Sequence, residues 1–176
     1  GYPEWHIIGD AIAEAYSGKY NMMIAHPPCT FISRAGARWM FPTAGNLCKI
    51  RFQKAIEAKE FFMKMINAPI KYIAVENPLP LKVVGLPTHT QAVQPYEYGH
   101  AYSKKTLLWL KNLQPLKSTK IIKEYTPYLP SNTGGKKRGQ KATPKSISQK
   151  ESSKTFTGIA YAMAIQWAGD ISNKTK

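Results

Sequence analysis

The sequence predicts one α/β domain built on a mostly parallel sheet. Three features predict it. An apolar run over 20–25 stops at the Pro27-Pro28 pair, an amphipathic helical pattern covers 47–66, and a second apolar run over 71–75 stops at Glu76-Asn77-Pro78. Strand, helix and strand in that order form a βαβ crossover, and such crossovers make parallel sheets. A chain of 176 residues, 43% of them hydrophobic, is long enough to bury a core of its own.

The elements follow in order. Residues 7–10 read as a brief strand ending at Asp10. Residues 11–16 favour helix, and Ser17-Gly18 ends it. The run over 20–25, bounded by turn signals on both sides, suits a buried parallel strand. A polar stretch carrying Arg34, Arg38 and Trp39 separates it from the long helix. In that helix Phe52, Ala55, Ile56, Phe62, Met63 and Ile66 share one face, with Lys59 the misfit. Pro78, Pro80 and Pro87 keep the next segment irregular, and 106–110 reads as another strand. Residues 116–154 form a basic loop insertion whose acids are Glu124 and Glu151 alone. A final helix over 158–167 lines up Ile159, Met163 and Trp167 on one side. No internal repeat is present.

Composition narrows the function. Lysine and arginine number 25 against 10 acids, a net charge of +15, so a polyanion is the expected partner. Cys29 and Cys48 are too few for a disulfide scaffold. With His6, His26, His89 and His100 they make no CxxC or HxxxH spacing, so no metal site is expected. No apolar run reaches the roughly 18–20 residues that span a bilayer, and no signal-peptide pattern is present. A cytoplasmic location is expected, without a membrane partner.

Ligands of open parallel sheets bind beyond the carboxyl ends of the strands. Cys29 and Glu76 each follow such an end, and neighbouring strands lie about 4.8 Å apart, so the two side chains are expected to share a pocket. Pro27 and Pro28 stiffen the loop that carries the thiol. A thiolate with a lowered pKa is a strong nucleophile, and His26 stands three residues upstream. The other role open to Cys29 is that of a small buried hydrophobe. Glu76 ends an apolar strand, where a carboxylate is expensive to bury. It is suited to hydrogen-bond, or to protonate, a ring nitrogen of a base; a helix cap or surface ion pair is its plainer role.

These residues resemble a family. His26-Pro27-Pro28-Cys29-Thr30-Phe31-Ile32-Ser33 looks like the nucleophile loop of cytosine-5 DNA methyltransferases, usually Gly-Pro-Pro-Cys-Gln-x-Phe-Ser. Val75-Glu76-Asn77-Pro78 is similar to their Glu-Asn-Val motif, and the segment Tyr98 to Lys105 to their Gln-x-Arg-x-Arg motif. Residues 155–167 stand where the family has its last helix motif. The likeness is nearest to short phage-borne DNA methyltransferase-like proteins. Thr30 replaces the family's glutamine, and Tyr102 and Thr106 replace a glutamine and an arginine.

The resemblance implies a Rossmann-like class I methyltransferase domain with helices flanking a mostly parallel sheet. It also implies that the chain lacks the first βαβ unit, which carries the family's glycine-rich cofactor loop. Cys29 would attack C6 of a flipped cytosine, Glu76 would stabilise the ring at N3, and S-adenosylmethionine would supply the methyl group. Pro28, Ser33, Asn77, Pro78 and Lys104 fall on substrate-binding positions, and Asp10, Ala11 and Pro27 on cofactor-binding ones. Arg34, Arg38, Lys136, Lys137 and Arg138 would meet the phosphates of DNA, double-stranded in this family. A partner chain or an N-terminal segment would supply the cofactor loop. A phage-encoded chain would work in the cytoplasm of its bacterial host. Two other readings are a base-modifying enzyme with a different target and a catalytically inactive, methyltransferase-derived nucleic-acid-binding protein.

Overall fold

The computed structural model describes residues 3–127 and 155–168. The chain divides into two compact units, one of residues 1–92 with 106–115, the other of 93–105 with 116–176. In chain order the helices are α1 (Ala11–Ala15), α2 (Ala37–Met40), α3 (Lys49–Ile66) and α4 (Thr157–Met163). The strands are β1 (Met22–Ala25), β2 (Tyr72–Pro78), β3 (Gln91–Val93), β4 (Tyr102–Ser103), β5 (Thr106–Lys111) and β6 (Thr126–Pro127). Short 3-10 turns lie at Pro3–Trp5, Arg34–Gly36, Lys82–Val84 and Pro95–Glu97, and α4 runs on into a π-helical turn, Ala164–Ala168.

The fold is α/β. In the first unit the strand order is β1-β2-β5-β3. β1 and β2 are parallel, in register from Met22↔Tyr72 to Ala25↔Val75, and α3 is the helix between them. The expected βαβ crossover is therefore present. β5 runs antiparallel to β2, from Ile73↔Lys111 to Pro78↔Thr106. The sheet is mixed, where the sequence pointed to a mostly parallel one. A helical crossover forces the parallel direction on β2, but the chain between β2 and β5 carries only 3-10 turns and short strands, so nothing imposes it on β5.

Two boundaries also differ from expectation. Residues 7–10 form no strand, and Ile7 and Ile8 are 66% and 101% exposed. A strand needs a ladder partner, and β1 stands at the end of the strand order. Conversely, Glu76, Asn77 and Pro78 belong to β2 instead of a loop, because Leu108, Leu107 and Thr106 of β5 face them. Proline ends the strand there, at the position paired with Thr106.

The core explains the apolar pattern. Tyr72, Ile73, Ala74 and Val75 are all buried, as befits a strand covered on both faces. Phe62 and Met65 of α3 pack with Ile73, Val75, Leu107 and Trp109, and the Phe62 ring meets Trp109 edge-on at 5.0 Å. The Trp109 indole N–H donates to the Pro87 carbonyl at 2.8 Å, so its burial leaves no polar atom orphaned. A second cluster joins Ala55 of α3 to Ile32, Met40, Leu81 and Val84. One helix thus supports both the sheet and the segment that follows Cys29.

In the second unit β4 pairs in parallel with β6. The Gly158 N–H donates to His100 Nε2 at 3.0 Å. A Cβ at position 158 would collide with the Tyr98 carbonyl oxygen, so only glycine lets α4 start there. Ile159, Met163 and Trp167 are buried together on one side, as their spacing predicts. Gln166 exchanges two 2.8 Å hydrogen bonds with the backbone of Lys117. The segment 128–154, which holds most of the basic insertion with Lys136, Lys137 and Arg138, lies outside the described residues. No described helix is long and apolar enough to cross a membrane.

Two outcomes test this packing. Phe62→Ala is expected to lower stability by about 3–5 kcal/mol in urea unfolding, because the residue is wholly buried. Burial, and then the Glu97 carboxylate, push the Tyr98 hydroxyl up to about 12. That group's stabilisation is complete below the ordinary tyrosine value of about 10 and is lost as pH rises through about 12. An ultraviolet pH titration should show a late-ionising tyrosine that Tyr98→Phe removes.

Candidate functional site

The parallel ladder of β1 and β2 ends at Ala25↔Val75, so His26 and Glu76 occupy the next position on the two chains. Residues at matching positions of paired strands point to the same face of a sheet. His26 Nδ1 accordingly lies 2.7 Å from Glu76 Oε2. The Glu76 side chain is only 20% exposed and that of His26 45%. Glu76 Oε1 has no hydrogen-bond partner among the described residues, so one carboxyl oxygen is held and the other is free to meet a ligand.

Three more hydrogen bonds join the two strand ends. Asn77, 1% exposed, donates from Nδ2 to the Pro27 carbonyl at 3.3 Å. The Arg34 N–H donates to the Leu79 carbonyl and the Leu81 N–H to the Ile32 carbonyl, both at 2.8 Å. The Asn77 Oδ1 is buried and unpartnered among the described residues. An oxygen in that state costs free energy unless a ligand group or water meets it.

Cys29 stands between these bonds. Its carbonyl accepts from the Ile32 and Ser33 N–H groups at 3.2 and 2.9 Å, which turns the chain sharply after the thiol. The residue is half-buried against the cluster of Ile32, Met40 and Ala55, so it also serves packing. Pro27 is buried, Pro28 exposed and Ser33 5% exposed. Cys48 opens α3 and makes no side-chain cap.

Beside the loop lies a cavity of about 620 Å³. Its walls include Ile7, Asp10, Ala11, Met23, Pro27 and Phe61, and it reaches His26 and Pro28. The size is that of small-molecule sites, which run from about 300 to 1,000 Å³. Asp10, Ala11 and Pro27 thus share one cavity. Asp10 also caps α1, its Oδ1 accepting from the Ile12 and Ala13 N–H groups at 2.8 and 3.3 Å. At the rim the Glu14 carboxyl is held below its ordinary range, first by the Tyr20 hydroxyl at 2.6 Å and then by the Lys19 ammonium.

The remaining expected residues scatter. Arg34 and Arg38 are exposed on the segment after Cys29. Lys104 belongs to the second unit, where its N–H donates to Gln94 Oε1 and its ammonium lies over the Phe156 ring. Sequence reasoning missed Arg51. Its Nη2 donates to the Thr30 carbonyl at 2.8 Å and fixes the chain next to Cys29. A Cβ at Gly36 would stand 2.9 Å from that nitrogen, so glycine makes room for the contact. The available signal was the span 15–56, which holds six lysines and arginines and no acid.

No family model, curated protein or solved structure matches the chain.

Asn77→Ala tests the joined strand ends. It should lower stability in urea by about 0.5–1.5 kcal/mol, the typical worth of one hydrogen bond. An unchanged midpoint would mean that the Asn77–Pro27 contact holds nothing.

Proposed function

We propose that this chain is a DNA cytosine-5 methyltransferase-like protein, with Cys29 as nucleophile and Glu76 as the acid at the base. The observation that carries the reading is the parallel register of β1 and β2. It brings the Pro27-Pro28-Cys29 turn and Glu76-Asn77 to neighbouring carboxyl ends of one sheet, where ligands of such sheets bind. The α3 crossover supports the finer fold reading, a Rossmann-like methyltransferase domain.

The chain's own residues supply the nucleophile and the acid at the base. The cytosine is extruded, because its ring carbons are stacked inside a duplex. The Cys29 thiolate forms a bond to C6, and the displaced electrons move toward N3, where the Glu76 carboxyl gives a proton. His26 holds that carboxyl through Oε2 and so positions it. Once C5 carries the methyl group, solvent takes the C5 proton, the freed electron pair re-forms the C5–C6 double bond, Cys29 leaves C6 as the thiolate, and the N3 proton returns to Glu76. S-adenosylmethionine, when bound, supplies an electrophilic methyl group. The cavity of about 620 Å³ fits an adenosyl group in size and in its apolar walls, with Asp10, Ala11 and Pro27 to hold it. The reading requires a glycine-rich turn from a partner chain or an upstream segment to complete that grip.

A second reading is a methyltransferase-derived DNA-binding protein without catalysis. Asp10 favours it, since the described hydrogen bonds of its carboxylate serve to cap α1. Calorimetry with S-adenosylmethionine separates the two.

DNA carrying 5-fluorocytosine, with S-adenosylmethionine present, should trap a covalent adduct, because fluorine at C5 cannot leave as a proton does. Cys29→Ser should abolish the adduct and Cys48→Ser should leave it. Glu76→Gln should slow its formation roughly 10²–10⁴-fold. Binding of the cofactor without any Cys29 adduct would refute the cytosine mechanism.

A further inference from the structure

Three of the six cations of the acid-free span 15–56 lie against two aromatic rings. The Arg38 guanidinium lies 4.0 Å from the centroid of the Trp39 ring, a stacking distance. Arg51 lies 5.5 Å from the same ring and 5.0 Å from that of Phe31, and Lys54 lies 5.5 Å from Phe31. Trp39 is 49% exposed, Arg38 is exposed beside it, and Lys54 beside Phe31 and Arg34 on the same segment are exposed as well. All of these belong to the first unit.

Folding accounts for Phe31, which packs against the cluster of Ile32 and Met40, and for the bond from Arg51 to the Thr30 carbonyl, but not for Trp39. An indole half in water gives up burial that any core position would have provided. The first turn of α3 carries Lys49 and Arg51 and no acid. That is the unfavourable sign for a helix N-terminus, whose partial positive charge prefers carboxylates. Cations held there, next to rings already stacked on guanidinium, are arranged for an external partner that is both anionic and flat.

We propose that Trp39, Arg38, Arg51, Phe31 and Lys54 form a stacking and phosphate platform for an unpaired polynucleotide strand. Bases in an intact duplex present edges, whereas an unpaired base offers a face that stacks on an aromatic ring or on a guanidinium plane. A base continues the Arg38–Trp39 pile, while Lys54 and Arg34 meet the phosphates on either side. Arg51 ties the platform to the Cys29 turn through the Thr30 carbonyl, so the strand runs past the thiol. The inference goes beyond the function proposed above, whose base is extruded from a duplex, by naming an unpaired strand as a partner. It rests on that reading's nucleic-acid partner and not on the chemistry of Cys29.

Fluorescence anisotropy on the full chain tests it. The probes are labelled twelve-nucleotide strands of deoxythymidine, of uridine and of abasic deoxyribose phosphate, and a twelve-base-pair duplex. The deoxythymidine or the uridine strand should bind tighter than both the duplex and the abasic strand, and the tighter of the two names DNA or RNA as the source. Trp39→Ala should weaken that strand roughly 5- to 150-fold, the range for one stacked base, and leave the salt slope unchanged. Trp39→Phe should restore most of the affinity. Lys54→Gln should instead reduce the slope by about 0.7, the value for one phosphate on a single strand. Circular dichroism of each variant controls for folding. Binding of the duplex or the abasic strand as tightly as the base-bearing strand would overturn the proposal, and so would an unchanged affinity in Trp39→Ala. A chain that stacks a strand on Trp39 yet forms no Cys29 adduct keeps this inference and loses the catalytic one.

Discussion

The parallel pairing of β1 with β2 is the constraint from which the rest of the site follows. Four residue pairs set the register, and α3 crosses back between the two strands. Once Ala25 faces Val75, the next position sets His26 beside Glu76, and Asn77 reaches Pro27. A slip by one residue would turn the Glu76 side chain to the opposite face of the sheet. The joined strand ends are therefore an outcome of register, and register is enforced by the burial of Ile73 and Val75 beneath α3.

The site also carries weight for the fold. Asn77 is at once a buried side chain and a clasp on the Cys29 turn, and the thiol itself leans on the cluster of Ile32, Met40 and Ala55. Such sharing favours rigidity. A side chain on a turn bonded at four points loses little conformational freedom when a ligand arrives. The same sharing means that a loss of activity in a variant here needs a stability measurement beside it.

Charge is distributed for a different purpose from the core. The span 15–56 holds no acid, and Lys49 and Arg51 stand at the wrong end of a helix for its stability. The opposite arrangement appears at α1, where Asp10 caps the N-terminus as folding prefers. Two helices of one unit thus follow opposite rules. In α3 the rule is broken on the helix whose Arg51 holds the Thr30 carbonyl.

By itself the sequence determined the elements whose information is local. Helix periodicity marked α3, continuous apolar runs marked β1, the first part of β2 and β5, and the Pro27-Pro28 pair marked the end of β1. It also placed the Cys29 turn and Glu76 at the carboxyl ends of neighbouring strands, since a helix between two strands leaves little choice but the parallel crossover, although the side chain that meets Glu76 is His26. What only the tertiary structure decided depends on partners distant in the chain. β5 gave Glu76, Asn77 and Pro78 the ladder that made them strand, and it joined the sheet antiparallel because no helix preceded it. Residues 7–10 have strand composition but no strand. The bond from Arg51 to the Thr30 carbonyl spans 21 positions, and the glycine that admits it stands on a third segment. Periodicity reports which side of an element is apolar; which groups meet across elements is settled when packing chooses among faces that look alike in the sequence.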